Sequence, residues 1–431
     1  MVLTVLLLMI VLLSGGIAVA VSLGTITYVL SEFFSPFPLI NALGQVAWSA
    51  SSDFILTAVP MFILMGELLL LSGVSQDMYR ALGKWLSWLP GGLMHSNIAS
   101  CAMFAATSGS SVATAATIGT MSVPLIREKQ YSPSLFLGTL AAGGTLGILI
   151  PPSIPMIVYA VVSESSVVLL YLAALIPGIL LASSFSLVVL GLCVARPELS
   201  GKKERFVWRD AVHELRFLVP PIGLFLIVVG SIYVGFTTPT EAASLGLIAS
   251  LILAASRRRL NWDVLATACI RTMAVTGMIG LIVIAAFILN FVLVSTGFTT
   301  KVTAVVQMWE LSPLQLIILI VAFYLFLGCF METLTMVVAT TPIVLPIITH
   351  AGYDPIWFGV VFTILLEAAM ITPPVGINLY VIQTVRGPGP IMDVIRGSVP
   401  LLAAMIILIG LLIAFPSIAL WLPHLYSDLR M

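Results

Sequence analysis

The sequence predicts an all-α polytopic membrane protein: two inverted repeats of five elements each, joined by one linker helix (a 5+1+5 order). Three observations carry this. The chain is 60% hydrophobic and 8% charged, whereas soluble domains carry about 25% charged residues. Its basic residues gather on one side of the expected crossings. A stretch rich in hydroxyls, glycine and proline also occurs twice inside apolar sequence. At about 20 residues per crossing, the 431 residues hold roughly ten membrane elements.

Crossings are expected over 2–30, 54–75, 133–163, 167–195, 216–237, 240–256, 264–297, 355–386 and 398–422. Met1 to Leu30 has no basic n-region, and its apolar run outlasts a signal-peptide core, so a retained first helix is expected. The apolar segments 92–126 and 313–350 are each interrupted near the middle and are read as re-entrant hairpins. Gln76 to Trp88 places Met78, Leu82, Trp85 and Leu86 on one face and Arg80 and Lys84 on another, the pattern of an interfacial helix. Thr300 to Trp309 holds the equivalent place in the second half. Whether these pieces brace a moving part or simply lie at the surface is left open by the sequence.

Charge placement sets the topology. With a cytoplasmic N-terminus and a periplasmic C-terminus, all of the 18 Lys and Arg except Lys301 and Arg430 fall inside. The inside set includes Arg80, Lys203, Arg205, Arg257 and Arg271. Such a bias follows the positive-inside rule. A hairpin that crossed fully would flip every later loop and destroy it.

The repeat appears without gaps at a shift of 222 residues, which lays Phe104 on Phe326, Pro124 on Pro346, Tyr131 on Tyr353 and Pro151-Pro152 on Pro373-Pro374. Upstream the shift is 224, placing Gly73 on Gly297. The first copy enters from the cytoplasm and the second from outside. The expected division has scaffold helices and an interfacial arm over 1–91, and hairpin one with its broken helix over 92–163. A repeat-end helix and basic loop follow over 164–215, then the linker over 216–239. The second repeat runs as scaffold over 240–312, hairpin two with its broken helix over 313–386, and a C-terminal helix over 387–431.

The interruptions are the candidate site. In hydrocarbon, backbone that leaves the helical ladder needs protein, water or an ion as partner. Paired interruptions at matching places in two halves mark a transporter's binding site. Hairpin one turns at Ser108-Gly109-Ser110-Ser111 and faces the break from Gly143 to Ser153; hairpin two turns over Gly328 to Thr333 and faces the break from Ala369 to Asn378. Consecutive prolines free carbonyls in the preceding turn. With nearby hydroxyls these make a cage for a hard cation such as sodium, one per repeat. Helix N-termini just beyond each tip suit an anionic substrate. Candidate substrate contacts are Ser110, Ser111, Thr145, Pro151, Glu332, Thr333, Pro373 and Asn378. The competing reading of any single Ser or Gly here is close helix packing.

Glu332 takes the place of Ser110 in the repeat register, where it orients water, ligates a cation or accepts backbone bonds at the tip. Glu67, Glu241 and Glu367 are read as structural carboxyls deep in helices, and Asp53 and Asp354 as interfacial. Cys101, Cys193, Cys269 and Cys329 lack metal or redox spacing and are read as packing residues. The sequence has no His-Glu-x-x-His, aspartate-rich or Gly-Lys-Ser motif, so an enzyme is not expected and uphill transport must draw on an ion gradient. The largely non-titratable oxygen site favours sodium, while Glu332 keeps protons open. No cofactor beyond the coupling ion and no nucleic-acid partner are expected.

Ser108 to Gly119, Gly143 to Ile154, Gly352-Tyr353-Asp354-Pro355 and Thr372-Pro373-Pro374-Val375-Gly376-Ile377-Asn378 resemble the large membrane subunit of tripartite ATP-independent periplasmic (TRAP) transporters, the DctM or SiaM family. The resemblance covers nearly the whole chain. It implies an ion-transporter-superfamily fold and sodium-coupled, elevator-type import of organic anions such as dicarboxylates, sugar acids or sialic acid. It also implies a bacterial inner-membrane location, a separate small four-helix membrane subunit and a periplasmic substrate-binding protein. By the same resemblance, sodium sites use backbone oxygens near Ser108, Gly147, Ile150 and Ser153, and near Gly328, Ala369, Thr372 and Val375. The tip residues Ser110 and Thr333 are candidate ligands too, from their place at the turns. Where relatives would have glycine, Ala369 still supplies a carbonyl. A stand-alone sodium/dicarboxylate symporter and an intramembrane enzyme are the alternatives.

Overall fold

Residues 1–35, 37–202 and 206–428 are described by the computed structural model. Lys203, Arg205 and Arg430, used above for charge placement, lie outside them. The described residues form helices and no strand.

Repeat one opens with α1 (Val2–Ser14) and α2 (Val19–Phe34). The single crossing expected over 2–30 is therefore two helices. Gly15 and Gly16 divide them, with Gly16 at a φ of +73° that ends α1. A short helix absent from the sequence reading, α3 (Leu43–Ser51), precedes α4 (Ala58–Leu71). Gly73, left-handed at φ +77°, turns the chain into the arm α5 (Val74–Leu86). Hairpin one is α6 (Leu93–Ser108) and α7 (Ser111–Glu128). Next come α8 (Pro133–Leu149) and α9 (Ile154–Val162), bent by 42° at the expected break, and α10 (Val167–Ala195).

The basic loop carries α11 (Trp208–Glu214), and the linker comprises α12 (Val219–Phe225) and α13 (Ser231–Val234), with a π-helical stretch at Leu226–Gly230. Repeat two runs through α14 (Pro239–Ser256), α15 (Trp262–Ser295) and the arm α16 (Phe298–Gln307). Hairpin two is α17 (Pro313–Leu327) and α18 (Thr333–His350). The second broken helix is α19 (Pro355–Met370) and α20 (Ile377–Arg386), followed by α21 (Ile391–Ala414) and α22 (Ser417–Asp428). The crossing expected over 398–422 is thus also two helices. Phe415 precedes Pro416 and is driven out of the helical region, to φ −133° and ψ 75°.

Local chemistry explains many starts. Thr238, Ser312 and Asp354 accept backbone N–H bonds ahead of a proline at the first helical position, where the missing N–H costs nothing. Among the described residues, six helices are long and apolar enough to cross a membrane, or eight if each bent pair counts as one span. The shorter α17 and α19, with 15 and 16 residues, are half of a hairpin and half of a broken helix.

The repeats pack crosswise. α2 lies on α15 and α4 on α14; α7 lies on α20 and α9 on α18; α8 lies on α21 and α19 on α10. In each pairing the second contact is the first with the repeats exchanged, as a two-fold relation requires. The tightest crossing is α8 on α21, where a Cβ on Gly138 or Gly397 would overlap backbone of the opposite helix. Close backbone approach of this kind is how helices associate where lipid is as apolar as leucine.

The arm α5 is tied on two sides. Asp77 pairs with Arg80 and Arg257, Arg80 also pairs with Glu214, and the Arg80 and Arg216 guanidiniums lie 4.9 and 4.7 Å from the Phe217 ring centre. On its buried face, Tyr79 Oη donates to Asn97 Oδ1 at 2.8 Å, and Asn97 Nδ2 donates to Thr139 Oγ1 at 3.0 Å. The partly exposed ion pairs are each worth about 0–1 kcal/mol, so the enclosed chain from α5 through α6 to α8 is the stronger tie.

Candidate functional site

The two hairpin tips are built alike. At tip one Gly109 takes the left-handed conformation that closes α6 (φ +60°), and Ser110 caps α7 by accepting the Ala113 N–H at 3.4 Å. Thr114 Oγ1 donates to the Ser110 carbonyl at 2.7 Å and lies 2.9 Å from Ser108 Oγ. At tip two Glu332 caps α18, accepting from the Thr335 N–H at 3.3 Å and the Thr335 hydroxyl at 3.4 Å. Of the three roles open to Glu332, accepting bonds at the tip is therefore realised. Both caps lie at equivalent repeat positions and leave a helix N-terminus facing inward.

The breaks close against these tips. A Cβ on Gly109 would meet the Pro152 carbonyl at 3.0 Å, and one on Gly147 would lie 2.7 Å from the Ser110 carbonyl oxygen. In the second repeat the relation is reversed: the glycine is on the hairpin, and Gly328 admits the Ala369 side chain of α19. The Pro151–Pro152 and Pro373–Pro374 peptide bonds are both cis. Tip one also reaches the other repeat, since Ser111 Oγ donates to Met370 Sδ at 2.9 Å. From α4, Gly66 packs on the Ser108 backbone.

A cavity of about 410 Å³ lies where these parts meet. Ser108, Ser110 and Ser111 of tip one line it, with Glu332 and Thr333 of tip two; α4 and α15 form the opposite wall. The remaining sequence candidates are not part of this lining. Gly147 abuts tip one; Thr145 is fully buried and donates to Ala142 O at 2.7 Å; Thr372 donates to Ala368 O at 2.7 Å. Asn378 is fully buried and donates through Nδ2 to Ala141 O at 3.1 Å. Its Oδ1 and the Thr333 hydroxyl are buried without partners, and such atoms are where a bound ion or water is looked for.

The two breaks differ in exposure. Pro151 and Ser153 are buried, Ile150 is intermediate, Pro373 is exposed and Val375 is intermediate.

The three carboxyls read as structural fare differently: Glu367 is deep as expected, and Glu241 does accept a neighbouring backbone N–H, from Thr238 at 2.8 Å. Glu67 pairs with Arg271 at 3.2 Å instead of bonding backbone. Glu241 is not deep: it is the third residue of α14, exposed, in a capping box with Thr238. The Thr238-Pro239-Thr240-Glu241 spacing is the usual signature of that box and was readable. Glu367 is fully buried and faces the Leu149 backbone without a formed hydrogen bond. Asp53 and Asp354 fall at helix starts, which they cap.

Sequence reasoning missed Tyr171. From α10 its hydroxyl accepts the Ser153 N–H at 3.2 Å and donates to the Ser153 carbonyl at 3.3 Å, stitching the break where prolines removed the ladder. Tyr171→Phe leaves both groups buried and unpaired, and is expected to destabilise the protein by about 1–3 kcal/mol, read as a lower apparent melting temperature in detergent. An unchanged transition would show that the hydroxyl is dispensable.

Paired re-entrant hairpins against paired broken helices, sharing one cavity, define a helical membrane transport protein. The family model for the DctM component of tripartite ATP-independent periplasmic transporters matches residues 6–418, and the chain belongs to that family. It is 31% identical over 395 residues to the C4-dicarboxylate TRAP transporter large permease protein DctM of Pseudomonas aeruginosa, covering 91% of each chain. It is 30% identical over 393 residues to the sialic acid TRAP transporter large permease protein SiaM of Vibrio cholerae, covering 90% of each. The isethionate TRAP transporter permease protein DctMQ of Oleidesulfovibrio alaskensis is 29% identical; the match spans 94% of this chain and 64% of that one. In fold, the chain is similar to the YdaH transporter of Alcanivorax borkumensis, with a TM-score of 0.65 at 15% identity over 93% of this chain and 98% of that one. By name, the three sequence relatives are transporter permeases and the structural one a transporter.

Proposed function

We propose that this chain is the large permease subunit of a sodium-coupled importer of a small organic anion, working by an elevator movement. The observation that carries this is the shared cavity, where Ser108 to Ser111 of one repeat meet Glu332 and Thr333 of the other against a wall of α4 and α15. Relatives named for C4-dicarboxylates, sialic acid and isethionate suggest the substrate class. Sodium would sit behind each tip: at Ser108, Ser110, Gly147, Ile150 and Ser153 in repeat one, and at Gly328, Thr333, Ala369, Thr372 and Val375 in repeat two. The hairpins and broken helices are the moving part; α2, α4, α14 and α15 stay fixed. Its partners are a small membrane subunit and a periplasmic binding protein, and it sits in a bacterial inner membrane with the N-terminus inside. If two sodium ions accompany a univalent anion, one net charge enters, worth about 2.3 kcal/mol per 100 mV, or about fifty-fold accumulation.

Proteoliposome uptake of radiolabelled succinate, N-acetylneuraminate and isethionate tests this, with sodium, the small subunit and the binding protein each left out in turn. Loss of uptake on each omission is expected. Uptake by the large subunit alone would instead mark a stand-alone symporter. Ser110→Leu and Thr372→Leu should each abolish sodium-dependent uptake; wild-type rates in both would refute the assigned sites.

A further inference from the structure

The cavity poses a charge problem. Among the described residues that line it, the charged side chains are two acids, Glu67 and Glu332. An anionic cargo brought between two carboxylates is repelled by both unless a cation stands close by. Glu332 belongs to the moving tip and is committed to capping α18. Glu67 belongs to the fixed wall, and its partner supplies the missing sign.

That partner is Arg271, in the third turn of α15. It lies four residues before Val275 and seven before Met278, both of which line the cavity. This spacing puts all three on one helical face. A guanidinium has five N–H donors in a planar fork, and Arg271 directs one of them, Nη1–H, to Glu67 at 3.2 Å. The group is 52% exposed and Glu67 19%, so it stands in the open beside the cavity with donors to spare. Planar bidentate donation is what a carboxylate or similar oxyanion accepts best.

We propose that Arg271 is the scaffold's contact for the anionic group of the cargo, with Glu67 as the resident counter-ion it exchanges for that group. The inference rests on the carrier reading above and adds a residue to it. Because Arg271 is mounted on the fixed wall, its attraction acts only while the moving tips stand beside it. It therefore sets anion affinity on one side of the membrane without travelling. The competing explanation is a purely structural ion pair in which either partner's loss is equally harmful.

The test is uptake by the full reconstituted system, using whichever of succinate, N-acetylneuraminate or isethionate wild type transports. Variants are Arg271→Gln, Arg271→Lys, Glu67→Gln and the double Glu67→Gln/Arg271→Gln, each checked for folded yield by size-exclusion chromatography. Arg271→Gln is expected to raise KM for the anion by about tenfold or more, with the sodium concentration for half-maximal rate unmoved. Arg271→Lys keeps the charge and is expected to lie between the two. Glu67→Gln removes the competitor and is expected to lower KM, and the double variant to stay as impaired as Arg271→Gln. Equal KM increases in the single variants with recovery in the double, or an unchanged KM in Arg271→Gln, overturns the assignment and leaves the carrier reading intact. No sodium-driven uptake by wild type overturns both.

Discussion

Gly397→Ala is expected to prevent assembly of the helix bundle. A Cβ there overlaps the Ser134 carbonyl of α8 and would lie 3.1 Å from the Gly138 nitrogen. Nothing flexible stands at the contact, so whole helices must separate. In addition, Ser134 Oγ donates to Asp393 O at 2.9 Å across the same crossing, a bond that separation breaks. Overpacking of this kind costs about 1–3 kcal/mol and at times more; backbone-to-backbone overlap belongs at the upper end. The gain in helix propensity from glycine to alanine is about 1 kcal/mol and does not compensate. Gly410→Ala on the same helix is the control, because nothing lies within 4 Å of a Cβ there. Loss of monodisperse protein for Gly397→Ala with normal yield for Gly410→Ala is the expected pair of results. Equal yields would mean that α8 and α21 are not in backbone contact.

Gly147→Ala is expected to abolish uptake while leaving a protein that folds. Its Cβ would lie 2.7 Å from the Ser110 carbonyl oxygen and 2.8 Å from the Ser111 nitrogen, so tip one must retreat. Binding constellations tolerate displacements of only about 0.5 Å, and the retreat moves Ser108, Ser110 and Ser111 together. Gly143→Ala, four residues earlier, meets Cys101 side-chain atoms at 3.3 Å and the Ile98 Cα at an ordinary 3.6 Å, and should be milder. Sodium-driven uptake falling to background in Gly147→Ala, with substantial uptake in Gly143→Ala, is the expected outcome. Wild-type transport by Gly147→Ala would refute the fit between tip and break.

What the sequence made legible was what its chemistry marks locally. Two Pro-Pro pairs and clusters of glycine and hydroxyl inside apolar runs leave few readings in hydrocarbon, so the hairpins at Ser108–Ser111 and Gly328–Thr333 and both breaks were readable. The repeat register placed Ser110 and Glu332 at equivalent tip positions, but that both cap the following helix needed the structure. Breaks that look like ordinary membrane sequence were not legible. Gly15-Gly16 and a lone Pro416 lie inside long apolar runs, so single crossings were expected straight through them. Contacts between distant parts leave no local trace at all. Ser111 and Met370 are 259 residues apart, and neither residue type announces the other. Tyr171 lies within an unbroken apolar helix, where a tyrosine looks like core; only the position of Ser153 beside its hydroxyl gives it a role. Arg271 counted as one more inside charge until its helical face was known.

The crosswise arrangement bears on how the chain is made. Since α2 rests on α15, α4 on α14 and α8 on α21, much of what the first half must bury is translated far later: Met61 of α4 meets Ser244 183 residues on, and Ser134 of α8 meets Asp393 259 residues on. The newborn N-terminal segments therefore wait in lipid with their small-residue faces uncovered, and neither half expressed alone has the surfaces to stand as a unit. Supplied as two separate polypeptides, however, the halves carry complementary faces along their whole length and should find each other.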